Sequence, residues 1–543
     1  MIIPANDTSK SPDLPPSPHS KAGTIPESQV FKREQERSQT IGLSYTDLRE
    51  KLSPQRGTSH LSEIKAQLLS INMQIENCTK ALETHPHAPS NLNDTINRLE
   101  ATRKSLEARL DLAEQEVESA EIDTYLRTIE QNSSFRGSVL VTKDGVTILN
   151  KGYGMATQTK RNDASTVFHI GSVTKIFTSA AIMKLTEMEP KPGKQKIDLE
   201  ASINRYLPKK YQSDRWAEVK VKELLSHTSG IPEYITNDYF DKCKSLTRDD
   251  VIKKAMTQEL VNRNTFNYSN TGYLLLGAII EEQRGCSYGE FMREVFFDPA
   301  RMDATRVHDT TFQPTAHMAT GFRREESSGD LVEDTTEDLS RICGADGAIY
   351  SSLQDLAQWS HILDGSQETQ DILSSKLIQQ MNPTAEGYGY GLPIQQKFGT
   401  TCISHDGLVP GFNSSFMKFP KEGIFIAVAG NTGLPSGIVS DHISEVVVNK
   451  VRIVSSNSRG DPDPRLGTFK TNTSDRQLKF IEREGRLFMQ GLDGPDRSRE
   501  CFRLSDGRLF EPTLGLKITY NGVFNAITVT QGGVVMDTFV REV

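Results

Sequence analysis

A serine and a lysine, three residues apart in an otherwise apolar segment, are the first residues of this sequence that suit covalent chemistry. Ser172 and Lys175 lie in "FHIGSVTKIFTSAAIMKLTEM", residues 168–188. If a helix begins there, both side chains lie on one face of its first turn. An N-capping serine and a snorkelling lysine would leave the same pattern. The pattern also occurs at Ser62–Lys65 and Ser415–Lys418, to which we assign no role.

Two further segments strengthen the interpretation of Ser172 as a nucleophile. "FNYSNTGYLLLGAIIEE" places Tyr268 and Asn270 just before an apolar helical run. "TCISHDGLVPGFNS" places His405 and Gly407 at the end of a predicted strand. Each residue alone is explained as an ordinary core residue. Their occurrence together and in this order favours a hydrolase site.

These motifs resemble the serine β-lactamase and penicillin-binding-protein superfamily, in its class C-like branch of esterases and D-peptidases. The resemblance spans about residues 122–454 and implies a metal-independent serine hydrolase. It also implies an α+β fold, with an antiparallel sheet flanked by helices plus a helical subdomain. Besides Ser172-Val173-Thr174-Lys175, the similar stretches are "VKELLSHTSGIP" (221–232), "FNYSNTGYLLLGAIIE" (266–281), "GADGAIYSSLQDLAQW" (344–359) and "YGYGLPI" (388–394).

The resemblance implies that Ser172 attacks a carbonyl and forms an acyl-enzyme, which water then hydrolyses. A serine hydroxyl is a weak nucleophile and needs a base. Tyr268 matches the tyrosine base of the family, and Lys175 matches its electrostatic partner. A cation about 4 Å from a phenolate stabilises it by roughly 4 kcal/mol at an effective dielectric of about 20, so one lysine is sufficient.

The remaining roles also come from the resemblance. The backbone N–H groups of Ser172 and Leu408 would bind the oxyanion of the tetrahedral intermediate. Gly407 would permit close backbone approach, which a side chain would obstruct. Asn270 would hydrogen-bond the amide or carbonyl of the substrate, and His405 would face its other end.

His405-Asp406-Gly407 stands where the best-known β-lactamases carry Lys-Thr-Gly. A neutral histidine does not replace a lysine that pairs with a substrate carboxylate. The sequence therefore favours esters, amides or D-amino-acid peptides over antibiotics. A typical histidine gains a proton below about pH 6.5, which predicts better binding of anionic substrates at acid pH. A true β-lactamase, or a catalytically silent assembly or binding protein on the same scaffold, remain the alternatives.

Stepwise changes in composition along the chain predict five segments. The leader is rich in proline, serine and charge, and is expected to be disordered. The segments are a leader (1–57), a coiled-coil helical hairpin (58–121), the hydrolase domain (122–454), a linker (455–465) and a small all-β barrel-like domain (466–543).

The hairpin prediction rests on two heptad seams. Apolar residues recur in steps of three and four from Leu61 to Leu82 and from Leu92 to Val117, with Arg103 interrupting the second seam. The breaker "HPHAPSN" between them predicts an antiparallel pair. A solvated spacer and an element for self-association or partner binding, through residues 61–117, both fit the pattern.

Strand patterns at both ends of the hydrolase segment predict one sheet built from distant parts of the chain. "GSVLVTKDGVTILNKGYG" reads as two strands around the turn Asp144-Gly145. Further strands return after about residue 400, and a helix containing Ile438, Ile443 and Val447 follows them. The long helical insertion between early and late strands predicts an α+β domain.

The composition and the first residues limit which partners and which compartment are expected. A net charge of −8 disfavours non-specific nucleic-acid binding, and no apolar run approaches the roughly 18 residues of a membrane span. The first twenty residues lack the apolar centre of a signal peptide. We therefore expect a cytoplasmic protein, or one exported by a route that needs no signal peptide.

Cysteine spacing and cofactor motifs point to a protein without metal or cofactor. The six cysteines lie far apart, which favours reduced thiols over a zinc site or disulfide framework. The sequence has no P-loop, dinucleotide fingerprint or HExxH motif. The expected ligand is a small-molecule or peptide substrate.

Overall fold

A computed structural model describes most of the chain from residue 54 onward. The described residues are 54–84, 92–131, 135–235, 246–309, 312–325, 330–334, 344–382, 387–432, 435–451, 453–454, 466–471, 476–483, 486–491, 498–504, 507–511, 514–521, 526–531 and 534–541. The predicted leader up to residue 53 and the predicted linker lie outside them, as does the breaker between the two heptad seams.

The chain divides into two compact units, Met1–Val117 and Glu118–Val543. In the first unit, helix α1 (Pro54–Thr84) and the beginning of helix α2 (Leu92–Gln131) confirm the predicted N-terminal helices. Ile64, Leu106 and Ala113 are buried together there, with residues of both heptad seams packed around them. The seams therefore pack within the hairpin, while self-association through it stays a prediction.

Helix α2 continues without a break past the predicted boundary at residue 121. Its last turns belong to the second unit, where Ile122, Tyr125, Leu126 and Ile129 are buried in a core shared with the central sheet. The sequence does not reveal a domain boundary inside this helix, because its apolar residues keep the helical period while the segment that they pack against changes. The domain limits given above remain predictions.

Helices and strands are numbered in chain order. The other helices are α3 (Thr174–Glu187), α4 (Val221–Leu225), α5 (Arg248–Met256), α6 (Asn270–Arg284), α7 (Tyr288–Met292), α8 (Leu353–Ile362), α9 (Ser375–Met381) and α10 (Ser436–Val447). The strands are β1 (Gly137–Lys143), β2 (Val146–Tyr153), β3 (Val167–His169), β4 (Arg306–Val307), β5 (Phe322–Arg324), β6 (Leu331–Glu333), β7 (Ile349–Ser352), β8 (Gly387–Tyr388), β9 (Pro393–Lys397), β10 (Thr400–Val409), β11 (Phe412–Phe419), β12 (Ile424–Gly430), β13 (Ile453–Val454), β14 (Gly467–Thr471), β15 (Gln477–Arg483), β16 (Arg486–Gly491), β17 (Arg499–Leu504), β18 (Leu509–Glu511), β19 (Leu516–Asn521), β20 (Ala526–Gln531) and β21 (Val534–Arg541).

The central sheet joins the two ends of the hydrolase segment, as predicted. Its seven strands lie in the order β2-β1-β12-β11-β10-β9-β8, and β1 pairs antiparallel with both β2 and β12. The turn between β1 and β2 has positive φ at Asp144 (51°) and Gly145 (76°), the backbone of a type I′ hairpin turn. Together with its flanking helices, this sheet confirms the predicted α+β architecture.

Helix α3 lies in the main apolar core. Most of its residues are buried, including Lys175, Ile176 and Phe177. Phe177 stacks on Trp359 of α8 with 4.3 Å between ring centroids. The helix is therefore fixed by packing around nearly its whole circumference, which fixes the side chains of its first turn as well.

The C-terminal strands form the predicted small all-β domain. Strands β14 to β21 pair in one curled sheet, whose ends meet through the β17–β18 pairing, and β13 adds to β17. Its core contains Phe469, Phe480, Ile518, Ile527 and Phe539. Inward-facing residues that alternate along these short strands account for the weak but recognisable strand pattern.

These strands pack against helix α10. The buried Glu445 accepts hydrogen bonds from Arg508 and forms an ion pair with Lys517 at 2.8 Å. A Cβ on Gly515 would lie 1.9 Å from the Cγ2 atom of Ile438. The small β-domain and the hydrolase domain therefore share a close-packed interface that contains buried charge.

Among the helices of the described residues, none combines the length and apolar character that crossing a bilayer requires. Four of the six cysteines lie in the described part of the chain, and none of these four is in a disulfide bond: Cys78, Cys286, Cys402 and Cys501.

Candidate active site

Ser172 and Lys175 lie where a tight turn leads into helix α3. Residues Gly171–Val173 form one 3-10 turn directly before Thr174, and Gly171 has a φ of 50°. The Lys175 Nζ atom donates a hydrogen bond of 3.0 Å to the Ser172 Oγ atom. Lys175 is fully buried, while Ser172 is partly exposed. Ser172 is therefore partly accessible to solvent, and its hydroxyl accepts a hydrogen bond from a buried ammonium.

Two more acceptors complete the surroundings of Lys175. Its Nζ atom donates to Asn270 Oδ1 at 2.7 Å and to the Asp346 carbonyl oxygen at 2.5 Å. An ammonium has three hydrogens, and Ser172, Asn270 and Asp346 account for all of them. The Tyr268 ring centroid lies 5.0 Å from the same nitrogen, within cation–π range. The lysine is thus fixed in position and has no hydrogen left for a substrate.

Tyr268 and Asn270 are positioned by the start of helix α6. Ser269 caps that helix, because its hydroxyl accepts the N–H of Gly272 at 3.1 Å. Tyr268 therefore lies just outside the first turn, and Asn270 lies at its beginning. The structure brings together Ser172, Lys175, Tyr268 and Asn270, which are separated by up to 98 residues in the sequence.

Asn270 is oriented by a carboxylate as well as by Lys175. Glu233 accepts from the backbone N–H of Asn270 and, at 3.2 Å, from its Nδ2 atom. Burial raises the pKa of Glu233, and the hydrogen bonds from Ile235 and Asn270 oppose that rise. The Asn270 Oδ1 atom therefore faces Lys175. The hydrogen bonds of the described residues use one of the two Nδ2 hydrogens, so the other is available to a ligand.

Strand β10 passes directly beside the serine turn. A Cβ on Gly407 would lie 2.0 Å from the Ile170 carbonyl oxygen, and one on Gly171 would lie 2.9 Å from the Leu408 nitrogen. A side chain at either position would obstruct this approach, while the role of Gly407 in substrate binding stays a prediction. The backbone of Leu408 thereby lies beside Gly171, the residue before Ser172, while the Leu408 side chain is exposed.

His405 is buried, and both of its ring nitrogens are occupied. The Nδ1 atom lies 2.7 Å from the Asp406 carbonyl oxygen, which only accepts, so the ring proton is on Nδ1. The Nε2 atom then accepts from the Tyr388 hydroxyl at 3.0 Å. His405 therefore has no free N–H for a substrate carboxylate.

The expectation that His405 becomes charged near pH 6.5 is wrong. Burial, and then the nearby Lys175 ammonium, lower the pKa of His405 to about 3. Both effects disfavour the imidazolium form, because a buried charge loses hydration and like charges repel. The ring therefore stays neutral at the acid pH values where we expected stronger binding of anions.

Three residues at the site escaped the sequence interpretation, namely Glu233, Tyr388 and His227. His227 stacks on the Tyr268 ring, with 4.2 Å between centroids. All three lie within or directly after stretches quoted above for the family resemblance. Their position in or beside these stretches was the only signal in the sequence, and no spacing rule linked any of them to Ser172.

The structure contains no group of three or more histidine, cysteine or acidic side chains arranged to hold a metal ion, as far as its described residues extend.

A sequence model of the family described as "Beta-lactamase" matches residues 122–443. The chain is also similar to "Penicillin-binding protein 4*" of Bacillus subtilis (strain 168), at 28% identity over 324 residues. That match covers 55% of this chain and 68% of the relative. "Protein flp" of Staphylococcus aureus (strain COL) is 27% identical over 350 residues, with 61% and 67% covered.

Solved structures share the fold. The octameric penicillin-binding protein homologue from Pyrococcus abyssi superposes with a TM-score of 0.54 at 22% identity, covering 78% of this chain and 99% of that one. The D-amino acid amidase from Ochrobactrum anthropi SV3 gives 0.50 at 23% identity, covering 61% and 99%. At such identities the likeness concerns the fold alone.

Proposed function

The chain belongs to the beta-lactamase family, and on that premise we propose that it cleaves an ester, amide or D-amino-acid peptide bond through an acyl-enzyme on Ser172. The observation that carries the proposal is the 3.0 Å hydrogen bond between Lys175 Nζ and Ser172 Oγ, made by a buried lysine beside an accessible serine. Burial of an ammonium costs hydration free energy, and such groups occur mostly at functional sites and in structural ion-pair networks.

In the proposed acylation, Tyr268 removes the proton of Ser172 as its Oγ atom attacks the carbonyl carbon. Lys175 contributes a fixed positive charge next to both groups, since its Nζ atom lies 5.0 Å from the centroid of the Tyr268 ring. This charge stabilises a phenolate more than a neutral phenol. When the tetrahedral intermediate collapses, the ester or amide bond breaks and the alcohol or amine leaves with the proton taken from Ser172. In the second step, water attacks the acyl carbon and gives a proton to Tyr268, which passes it to the Ser172 Oγ atom as the bond between Oγ and the acyl carbon breaks.

The negative charge of the tetrahedral intermediate would be held by the backbone N–H groups of Ser172 and Leu408. Support comes from the approach of β10 to the serine turn, which Gly171 and Gly407 permit. Backbone donors fixed by packing do not have to reorganise as charge develops, which is how such sites lower the barrier. Asn270 would hold the substrate amide or carbonyl through its remaining Nδ2 hydrogen.

The charge distribution favours an uncharged substrate group next to β10. His405 is neutral and both its nitrogens are engaged, and all three Lys175 hydrogens are used. A carboxylate there would lose hydration without gaining a cation. Neutral esters and amides fit this surface better than the carboxylate-bearing antibiotics that a lysine at position 405 would suit.

The proposal is tested with a fluorophosphonate probe, followed by intact-mass measurement and peptide mapping. We expect one adduct, on Ser172. A panel of p-nitrophenyl esters, D-amino-acid amides and a chromogenic cephalosporin then gives the substrate class, with turnover expected for the first two. A wild-type protein that forms no adduct and turns over no substrate would be a silent scaffold. Efficient cephalosporin turnover would instead make it a true β-lactamase.

A further inference from the structure

His227 occupies a central place at the site, although the proposed chemistry does not yet use it. The residue follows helix α4 and has a φ of 56°, a conformation that non-glycine residues rarely adopt. Its side chain is 1% exposed. Four aromatic rings lie around the imidazole, those of Phe266, Tyr268, Tyr273 and Tyr388.

His227 contacts the Tyr268 segment at two points. The His227 Nδ1 atom accepts the backbone N–H of Ser269 at 3.0 Å. The imidazole ring lies 4.2 Å from the Tyr268 ring, with 30° between the planes. One contact fixes the peptide that follows Tyr268, and the other limits rotation of its side chain.

The hydrogen bond from Ser269 also fixes the tautomer of His227. Because Nδ1 accepts a hydrogen bond, the neutral ring carries its proton on Nε2. Burial, Lys175 and His405 lower the pKa of His227 to about 2, so the ring stays neutral. The Nε2 atom is buried without a hydrogen-bond partner among the described residues. A phenylalanine would avoid that cost but would lose the acceptor for Ser269.

We propose that His227 is the positioning residue for the tyrosine base, holding the Tyr268 hydroxyl in line with Ser172 and Lys175 through the stacked ring and the bond to Ser269. The inference rests on the proposed function, because it assigns Tyr268 the role of base. A tyrosine side chain rotates about two bonds, and a displacement of about 1 Å at a reacting group costs up to roughly a hundredfold in rate.

Two variants separate the two contacts. His227→Asn tolerates positive φ and offers an amide oxygen to Ser269, but it has no ring to stack. His227→Phe keeps a ring and loses the acceptor. We expect each variant to lower kcat for a p-nitrophenyl ester by about tenfold or more while KM stays within about threefold, because orientation of the base affects the transition state more than ground-state binding.

A double-mutant cycle distinguishes positioning of Tyr268 from a general structural role. In a Tyr268→Phe background the base is absent, so His227→Asn should cause almost no further loss of kcat. A histidine that only supports the fold would lower the rate by the same factor in both backgrounds. The end point of fluorophosphonate labelling gives the number of competent sites, and each rate is divided by that number. A loss of rate that comes only from partial unfolding is thereby removed.

His442 provides a matched control. It too is buried, with neither ring nitrogen hydrogen-bonded among the described residues, and it lies between Tyr125 and Phe510 at centroid distances of 4.3 and 4.0 Å. His442→Asn should lower Tm without changing kcat per competent site. If the wild-type protein reacts and the His227 variants react equally fast per competent site, the inference about His227 is overturned and the proposed function is not. Wild-type protein that does not react would overturn both the inference and the proposed function.

Discussion

The same four-residue pattern, serine and lysine separated by two residues, occurs in two buried regions with opposite results. At Ser172 and Lys175 it begins a helix, and the lysine nitrogen reaches the serine oxygen at 3.0 Å. At Ser415 and Lys418 it lies in strand β11, where residues three apart point to opposite faces. Local backbone geometry therefore decides whether the pattern forms a pair.

The strand lysine has a different set of partners. Lys418 Nζ donates to the Ser360 carbonyl oxygen at 2.6 Å and pairs with an Asp364 oxygen at 2.6 Å. Its charge is balanced by a carboxylate, whereas the three Lys175 acceptors, Ser172, Asn270 and the Asp346 carbonyl oxygen, are all neutral groups. A buried cation without a carboxylate partner is available to stabilise a negative charge that forms during a reaction.

A third copy of the pattern shows that helical spacing is not sufficient. Ser62 and Lys65 also lie on a helix, but Lys65 is exposed and pairs with Glu114 at 3.0 Å. Water screens such a charge, so it has little effect on a neighbouring hydroxyl. Burial and helical geometry together distinguish the first region from the other two.

The serines give the largest expected difference. Ser172→Ala should abolish fluorophosphonate labelling and ester turnover, because it removes the attacking atom. Ser415→Ala, the matched control, should label at the wild-type rate. Both are measured by intact mass after a fixed labelling time. An adduct that persists on Ser172→Ala and disappears on Ser415→Ala would reverse the comparison.

The lysines should differ nearly as much. Lys175→Ala removes the cation beside Ser172 and Tyr268, so we expect kcat to fall by at least about a hundredfold. Lys418→Met should leave kcat within about twofold but destabilise the fold by about 1–3 kcal/mol, because Asp364 and the Ser360 carbonyl lose their donor. Ester kinetics and urea unfolding of both variants measure this. Equal losses of kcat would refute a special role for Lys175.

Tyr268→Phe tests whether the first region also contains the base. Removing a positioned base typically costs about a hundredfold or more in rate. Tyr211→Phe is a control, since that buried tyrosine contacts Asp249 instead. Steady-state kinetics on a neutral ester should separate the two variants. Near-wild-type kcat in Tyr268→Phe would direct the search to another base.

The charge at position 405 of strand β10 should have a smaller effect, on the preference between anionic and neutral substrates. The anionic-to-neutral ratio of kcat/KM, for two esters of one acyl group, should stay constant in wild-type protein between about pH 5.5 and 8, because His405 remains neutral there. His405→Lys should raise that ratio by about tenfold, equivalent to roughly 1.4 kcal/mol. An unchanged ratio in the variant would mean that position 405 does not face the charged end of the substrate.

The smallest expected difference between the two regions is in how the free energy of unfolding depends on pH. The folded-state pKa of His405 is lowered to about 3, so its contribution is complete above about pH 6.5 and is lost as pH falls toward the folded value. Replacing it with phenylalanine should remove about 1 kcal/mol of the drop in unfolding free energy between about pH 7 and 5.5.

His361, near Lys418, gives the opposite sign. A hydrogen bond to Asp364 raises the pKa of His361. It therefore stabilises the fold below about pH 6.5, and that contribution is lost as pH rises through the folded value. His361→Gln should make the drop on acidification slightly larger. Urea unfolding of the His405 and His361 variants at about pH 7 and 5.5 tests both predictions. If both substitutions change the drop in unfolding free energy in the same direction, the opposite pKa shifts of the two histidines are contradicted.

The sequence was sufficient for features that depend on local pattern. The strand signals around Asp144-Gly145 and after residue 400 predicted a sheet built from both ends of the segment, and the seven-stranded order confirms it. Ser172, Lys175, Tyr268 and Asn270 were predicted to share a site because their motifs occur together and in the order of the family they resemble; their catalytic roles stay predictions.

Features that depend on packing between distant segments could not be predicted. The neutral state of His405 follows from burial and from the nearby Lys175 ammonium, which belongs to a distant part of the sequence. The ring contact between His227 and Tyr268 requires that two loops pack against each other. Neither relation leaves a periodic trace in the sequence, because ring stacking depends on tertiary geometry rather than on spacing.

The interface between helix α10 and the C-terminal strands has a consequence for how the chain can be divided. Glu445 binds Arg508 and Lys517 across it, and Ile438 fills the space that Gly515 leaves open. Contacts of this kind hold two surfaces together without a peptide bond, and a linker only raises their effective concentration. Two separately encoded fragments, divided between residues 455 and 465, should therefore reassemble into one hydrolase when they fold together.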